Sequence, residues 1–516
     1  MRPRVRLPGA LRRLSVADVF FVAVVVAFTF ATARVWWLSK IVPGMDYPQF
    51  LVFVRALQDH ANPASPFHGT YSVGPWFMPT SLPINLTSWL SYLCGHSLEN
   101  AGKLLLALQN VGLVAATLFL LKTLGRNRWA VLLLFPLIHS VWTVTGGFAV
   151  YSTALPLNIL AWALTVRWLH KLDLGSGLAL AVCLCVNLLW HGVGFAQAGL
   201  GFAVLWAVWR PPSLGARVLS VVPTVPCLAQ CVAWGWSTFA SKEARPPSSW
   251  LEPWDGSERI FEYIWASVPH YTARALALGL IVVVGLLICP ANLGVSRPHA
   301  RLWRVRNPFL ILSLAYLASY YAFPMYLNKV EGVSCRFSYV AVLAFIFAWN
   351  LPSAPVPRWI VLGAVGAFGV WCLRDMTERF RAFDEDTRVA SDLIDWVTLH
   401  QTLYYWAADQ GASKDFAGPT NKPTRELQQY ATIRQGGLPN SSFAGYGYNY
   451  ISYVDKRNPM PGFTGPASWS QEATKFDYVL ARAGGGPSDK RFKLLERREG
   501  WEIYGVCGSD LFPECP

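Results

Sequence analysis

The sequence predicts a mostly helical, polytopic membrane protein with about 11 transmembrane helices, amphipathic helices in a first outer loop, and a small α+β C-terminal extracytoplasmic domain. Three observations carry this. Apolar residues make up 53% of the 516 and charged residues only 14%, the composition of a chain whose core is made mostly with lipid. Apolar runs of spanning length recur along the chain up to residue 375. Beyond that point charges are spread throughout and no spanning run follows.

The basic tail, residues 1–16, carries Arg2, Arg4, Arg6, Arg12 and Arg13. The apolar run that follows is longer than the 7–15 residues of a signal-peptide core and lacks a clear small-residue cleavage site, which predicts an uncleaved signal anchor. Runs of about 20 apolar residues follow, giving spans near 17–38, 103–122, 128–146, 149–168, 175–191, 194–209, 216–237, 272–293, 308–326, 337–351 and 358–374. Every second connection is basic: GRNR, RWLHK, WRPPSLGAR, SRPHARLWRVR and PVPR. That alternation puts the N-terminus in the cytoplasm and the C-terminus outside. The net charge of +14 is thereby absorbed by topology, and no nucleic-acid site is read from it. The transmembrane domain is 17–375, with outer loops 39–102 and 238–271, and most acidic residues before 375 fall on the outer side.

Residues 376–516 read as a separate domain. It opens with a helix near 376–408 and closes with the strand-like runs FDYVLAR and FKLLERREGWEIYGV, the second a hairpin turned at Glu499 and Gly500. Of the ten cysteines, Cys183, Cys185, Cys227, Cys231 and Cys289 lie in apolar runs as packing residues. Cys507 and Cys515 are close enough for a small closing disulfide on an oxidising face.

The stretch VPGMDYPQFLVFVRALQDH, 42–60, predicts a helix with Pro48 in its first turn and Phe50, Phe53, Val54 and Leu57 at helical spacing. Such a helix is expected to lie along the membrane surface. Asp46 stands at its start with two readings: a helix cap, or a carboxylate at headgroup depth that takes a proton from a hydroxyl or binds a divalent cation beside a lipid phosphate. In KVEGVSCRF, 329–337, Arg336 stands where the chain re-enters the membrane; its guanidinium suits a bidentate grip on phosphate or simple snorkelling to headgroups. Glu331 is a partner for it. Arg34, Lys40 and Lys103 are cations at the same depth.

His139 and His191 lie inside apolar runs, where a histidine is a functional candidate or the partner in a helix–helix hydrogen bond. The glycines around His191 predict a broken helix there. There is no Walker A loop, no HExxH pair, no dinucleotide fingerprint and no Gly-x-Ser-x-Gly elbow. No Asp or Glu falls near the middle of a predicted span, which counts against ion-coupled transport.

Together, the basic tail and first span, the outer loop opening with GMDYPQF, the Arg-bearing outer loop VEGVSCRF and the strand-ended outer domain resemble the GT-C class of membrane glycosyltransferases. That resemblance implies a sugar donor linked to polyprenyl phosphate, a general base in the first outer loop and cations that hold the donor phosphate near the membrane. Asp46 matches the acidic position and Arg336 the phosphate-binding one. Asp59 and His60 are candidates near the acceptor, and Glu331, His191 and Lys103 complete the substrate-binding set. Tyr47 stands where many members carry a second acid, which leaves a divalent cation an open cofactor. The implied partners are the lipid-linked donor, membrane lipids and an acceptor the sequence does not specify, in a plasma (inner) membrane. Two other classes compete: a transporter or flippase of a lipid-linked substrate, which predicts an internal duplication that the sequence lacks, and a membrane scaffold with an outer binding domain, in which Asp46 is only a cap.

Overall fold

The first helix, α1 (Val16–Arg34), starts where Ser15 and Asp18 form a reciprocal cap: Ser15 Oγ accepts from the Asp18 N–H and the Asp18 carboxylate accepts from the Ser15 N–H. Val19, Phe20, Val22, Val26 and Phe30 of α1 are exposed, an arrangement that lipid, not water, makes favourable. The computed structural model describes residues 15–44, 46–138, 149–209, 211, 213–239, 279, 307–324, 326–327, 330–331, 333–348, 350–352, 354–406, 424, 426–439, 450–454, 469–509 and 511–513.

The chain continues through α2 (Tyr47–Asp59), β1 (Tyr71–Val73), α3 (Ser81–Leu93) and α4 (Leu98–Thr123). A 3-10 helix, Arg128–Leu137, precedes α5 (Ala149–Lys171), α6 (Leu174–Trp190), α7 (Gly192–Val208), α8 (Leu214–Val221) and α9 (Val225–Phe239). Then come α10 (Pro308–Ala322), the short hairpin β2 (Tyr326–Leu327) and β3 (Val330–Glu331), α11 (Cys335–Ala348) and α12 (Pro355–Ile394). Among the described residues, Val16–Trp37, Leu98–Thr123, Leu214–Trp236 and Pro355–Ile394 are long and apolar enough to cross a membrane, with shorter apolar helices at α6, α7, α10, α11 and the 3-10 helix. The protein is thus a polytopic membrane protein. The span expected at 272–293, Gly279 apart, the loop residues 240–271, and His139 lie outside the described residues.

At 40 residues and 1.5 Å per residue, α12 is about 60 Å long. Its first half, with Val361, Leu362, Val365 and Phe368, packs in the membrane core beside Leu113, Phe135, Trp162, Tyr316 and Phe337. Its second half, with Met376, Phe380, Phe383 and Ile394, packs in a different core with Trp36, Tyr47, Leu51, Tyr405, Tyr430 and Trp501. The boundary expected at 375/376 falls inside this unbroken helix. The first long loop and the C-terminal residues share this second core and form one cap.

Four strands follow in the cap: β4 (Leu403–Trp406), then, after α13 (Gln429–Gln435) and β5 (Ile451–Tyr453), β6 (Tyr478–Arg482), β7 (Phe492–Arg498) and β8 (Trp501–Val506). The sheet order is β4-β6-β8-β7, with β4 parallel to β6 and the other pairs antiparallel. The β7–β8 hairpin turns at Glu499 and Gly500, both with positive φ, as a tight two-residue turn requires. Arg482 fixes the sheet to α12, gripping Asp386 at 2.5 and 2.7 Å with its guanidinium 4.0 Å from the Trp501 ring centre. Separately, β1 of the first loop pairs antiparallel with β5. Cys507 is disulfide-bonded; Cys515 lies outside the described residues.

The sequence pattern places α2 on the membrane surface, and the structure corrects this. Tyr47 to Val54 and Ala56 are all buried, enclosed by α3, α4, α13 and β5. Gln49 of the polar face is buried because it meets Glu426, while Arg55, Gln58 and Asp59 stay half-buried, with Arg55 paired to Asp59 one turn on. In this loop it is α3 that exposes an apolar face, with Trp89, Tyr92 and Leu93.

Candidate functional site

Asp46 is half-buried at the start of α2. Its backbone carbonyl accepts the Phe50 N–H at 3.1 Å, but its side chain makes no capping hydrogen bond to the helix. The cap reading therefore lacks the bond that defines a cap. One turn on, the buried carboxylate of Glu426 accepts three side-chain amides, from Gln49 at 3.1 Å, Gln428 at 2.9 Å and Gln429 at 3.1 Å, stitching α2 to the segment before α13. Tyr47, where a second acid was sought, points its hydroxyl at the Glu99 carbonyl, 3.4 Å away. A Cβ at Gly102 would collide with that hydroxyl. Burial first, then the nearby Glu99, pushes the Tyr47 phenol well above its ordinary range, so this residue packs and does not ionise.

Asp59 and His60 end α2. Its thirteen residues span about 20 Å, so the helix holds both away from Asp46. Asp59 is paired with Arg55 at 2.8 Å, and His60 Nδ1 lies 2.8 Å from the Leu57 carbonyl. Lys103 is buried and spends its ammonium on the Ser39 and Lys40 carbonyls, at 2.8 and 3.0 Å, holding down the strand of chain that leads to Asp46. Beside it is a clamp that no local spacing in the sequence marks. Arg434 of α13 pairs with Glu99 at 2.6 Å and with Asp395 at 2.9 Å, and Lys40 pairs with Asp392 at 2.8 Å. Burial opposes the Arg434 charge, and the Glu99 and Asp395 carboxylates outweigh it, holding the guanidinium above its ordinary value.

The second group of candidates lies in the membrane core. Arg336 sits buried in the first turn of α11, its guanidinium carbon 5.4 Å from the Tyr151 ring centre. Its backbone carbonyl accepts from Tyr151 Oη at 2.7 Å and from Gln197 Nε2 at 3.1 Å. His191 is the junction the glycines predicted: α6 ends at Trp190, α7 starts at Gly192, and His191 between them is extended. Its Nδ1 accepts the Gly194 N–H at 3.2 Å, which leaves the neutral ring with its proton on Nε2. Its ring stands edge-on to Tyr151, 5.5 Å between centres. Glu331 stands opposite Tyr326 in the β2–β3 hairpin just before α11; its expected pairing with Arg336 involves a side chain outside the described residues.

Two helix starts therefore meet around Tyr151 of α5: α7 at Gly192 and α11 at Cys335. Each start carries roughly half a positive charge, and Arg336 adds a full one. The place is a boundary: Val150 and Trp190 pack against the cap core while the adjacent Tyr151 belongs to the membrane core. The cap helix α2 packs on α5, which joins the Asp46 loop to this centre. Among the described residues, no group of three or more His, Cys, Asp or Glu is placed to hold a metal ion.

No protein-family model matches the chain, and no curated protein does. Among solved structures, the crystal structure of ArnT from Cupriavidus metallidurans bound to undecaprenyl phosphate is similar at a TM-score of 0.54 and 14% identity, covering 95% of this chain and 98% of that one. The same protein in the apo state matches at 0.53 and 14% identity, covering 96% and 99%. At this identity the likeness is one of fold: the chain shares the fold of ArnT over nearly its whole length.

Proposed function

We propose that this protein is an integral-membrane glycosyltransferase that moves a sugar from a polyprenyl-phosphate-linked donor to an acceptor hydroxyl on the extracytoplasmic face of the plasma (inner) membrane. The observation that carries this reading is the meeting of Arg336 with the N-terminal ends of α7 and α11 beside Tyr151 at the membrane–cap boundary. That arrangement favours a phosphate at the depth where a lipid-linked one resides, because dipoles and guanidinium act strongly where little water screens them. ArnT, whose fold the chain shares, is crystallised with undecaprenyl phosphate, and the basic loops of the sequence orient the cap outward.

In this reading the polyprenyl chain lies against the lipid-facing helices and its phosphate beside Arg336, with the Nε2–H of His191 as a second donor. The acceptor oxygen attacks the anomeric carbon while Asp46 takes its proton. The bond from that carbon to the phosphate oxygen breaks, polyprenyl phosphate departs, and Arg336 stabilises the charge it gains. Direct displacement inverts the anomeric centre. Asp59 and His60, about 20 Å along α2, take no part in this step, and Lys103 positions the loop without touching substrate.

The test is Asp46→Asn in the full chain, reconstituted with lipid-linked sugars extracted from the host membrane. Transfer is expected to vanish with folding and membrane insertion intact; a scaffold role predicts instead a loss of about 1 kcal/mol of stability. Undiminished transfer in this variant removes Asp46 from the reaction.

A further inference from the structure

The buried amides of the membrane core form a directed chain. Asn187 Nδ2 of α6 donates to Asn158 Oδ1 of α5 at 2.7 Å, Asn158 Nδ2 donates to Gln197 Oε1 of α7 at 3.0 Å, and Gln197 Nε2 donates to the Arg336 carbonyl of α11 at 3.1 Å. Tyr151 donates to the same carbonyl at 2.7 Å and lies under the same residue's guanidinium. A separate anchor fixes the Gln197 backbone, whose carbonyl accepts from Tyr316 Oη at 2.6 Å. Asn158, Asn187 and Gln197 are fully shielded, and Tyr151 is 1% exposed.

Buried amides in a lipid-surrounded core are costly unless paired. Pairing for helix association alone needs only neighbour-to-neighbour bonds. Here the direction of each amide is set by the one before it, and the series ends on the backbone of the residue that carries the positive charge of the site. From this we infer that Tyr151 and Gln197, oriented by Asn158 and Asn187, are positioning residues that hold Arg336 for the donor phosphate. They touch Arg336 and not the phosphate. The inference rests on the proposed role of Arg336 as the phosphate-binding cation. Tyr151 acts twice, through a hydroxyl on the carbonyl and a ring beneath the guanidinium, and Tyr151→Phe separates the two.

The experiment measures binding of undecaprenyl phosphate to the full chain in lipid nanodiscs, for Tyr151→Phe and Gln197→Met, each alone and combined with Arg336→Ala. Each single variant is expected to weaken binding about tenfold, the scale of one lost hydrogen bond, and to have no further effect once Arg336 is alanine. That non-additivity is what a residue acting through Arg336 must show, whereas a merely structural role weakens binding equally in both backgrounds. Equal losses in both backgrounds, or parental affinity in both single variants, overturn the positioning role while leaving Arg336 as the phosphate ligand. Parental affinity in Arg336→Ala overturns the proposed phosphate site and this inference with it. Tyr151→Phe changes no volume in the core, so the decision stands on it alone if Gln197→Met does not fold.

Discussion

Replacing Arg434 by methionine removes the charge that ties the cap to the start of α4. Glu99 is 16% and Arg434 14% exposed, so the carboxylate left behind meets little water, and breaking such a pair by removing one partner costs about 3–5 kcal/mol. Asp395 is 50% exposed, and its share is screened to about 1 kcal/mol or less. The bonds from Arg434 to the Ser391 carbonyl and hydroxyl, at 2.8 and 2.9 Å, belong to the same network and do not add independently. The expected loss is about 4 kcal/mol, read as a shift in denaturant unfolding of the protein in bicelles, with the cap becoming sensitive to protease at lower denaturant than the membrane helices. Glu99→Gln combined with Arg434→Met is expected to lose less than the two singles together, by about 2 kcal/mol. A loss below about 1 kcal/mol together with strict additivity refutes the clamp.

Gly102→Ala drives a Cβ into the Tyr47 hydroxyl, with Leu51 Cδ2 at 3.0 Å on its other side, and is expected to destabilise by about 1–3 kcal/mol, partly restored by Tyr47→Phe; an alanine variant as stable as the parent contradicts the packing described. In the cap sheet, Tyr504 Oη donates to Glu502 at 2.6 Å, and burial with that carboxylate pushes the phenol up to about 12. Because the folded value lies above the ordinary value of about 10, the stabilisation is fully present below that pH and is lost as pH rises through about 12. Thermal unfolding measured across this range should fall less steeply in Tyr504→Phe than in the parent, and parallel slopes would deny the linkage.

Much of the fold was legible because membrane spans and tight turns are written locally. The helix break at His191 followed from flanking glycines, and the β7–β8 hairpin from Glu499–Gly500, whose positive φ angles only a tight turn explains. The continuity of α12 was not legible. Its sequence changes from apolar to charged near residue 375, as it would at a domain boundary, yet nothing in it breaks a helix, and the change of composition marks a change of surroundings, not of chain direction. The burial of α2 was hidden for a related reason. Periodicity reports which face is apolar, and a polar face reads as solvated even when Glu426, distant in sequence, supplies its partner.

The site divides along the same line. Arg336 and His191 stood out because charge and imidazole are expensive in an apolar run, and the structure brings both to Tyr151. Asn158, Asn187 and Gln197 lie in equally apolar runs, but an amide costs less than a charge and has many ordinary uses between helices, so only the order in which they bond distinguishes them. Arg434 and Glu99 are 335 residues apart, a separation at which no spacing rule operates. The residues that carry charge to the site were visible one at a time, while those that aim and clamp them exist as a function only in pairs, because each is defined by the atom it donates to. A perturbation of a charge-bearing residue should therefore be felt directly at the ligand, and a perturbation of an aiming residue only through Arg336, which is why the double substitution, rather than any single one, decides whether this division of labour is real.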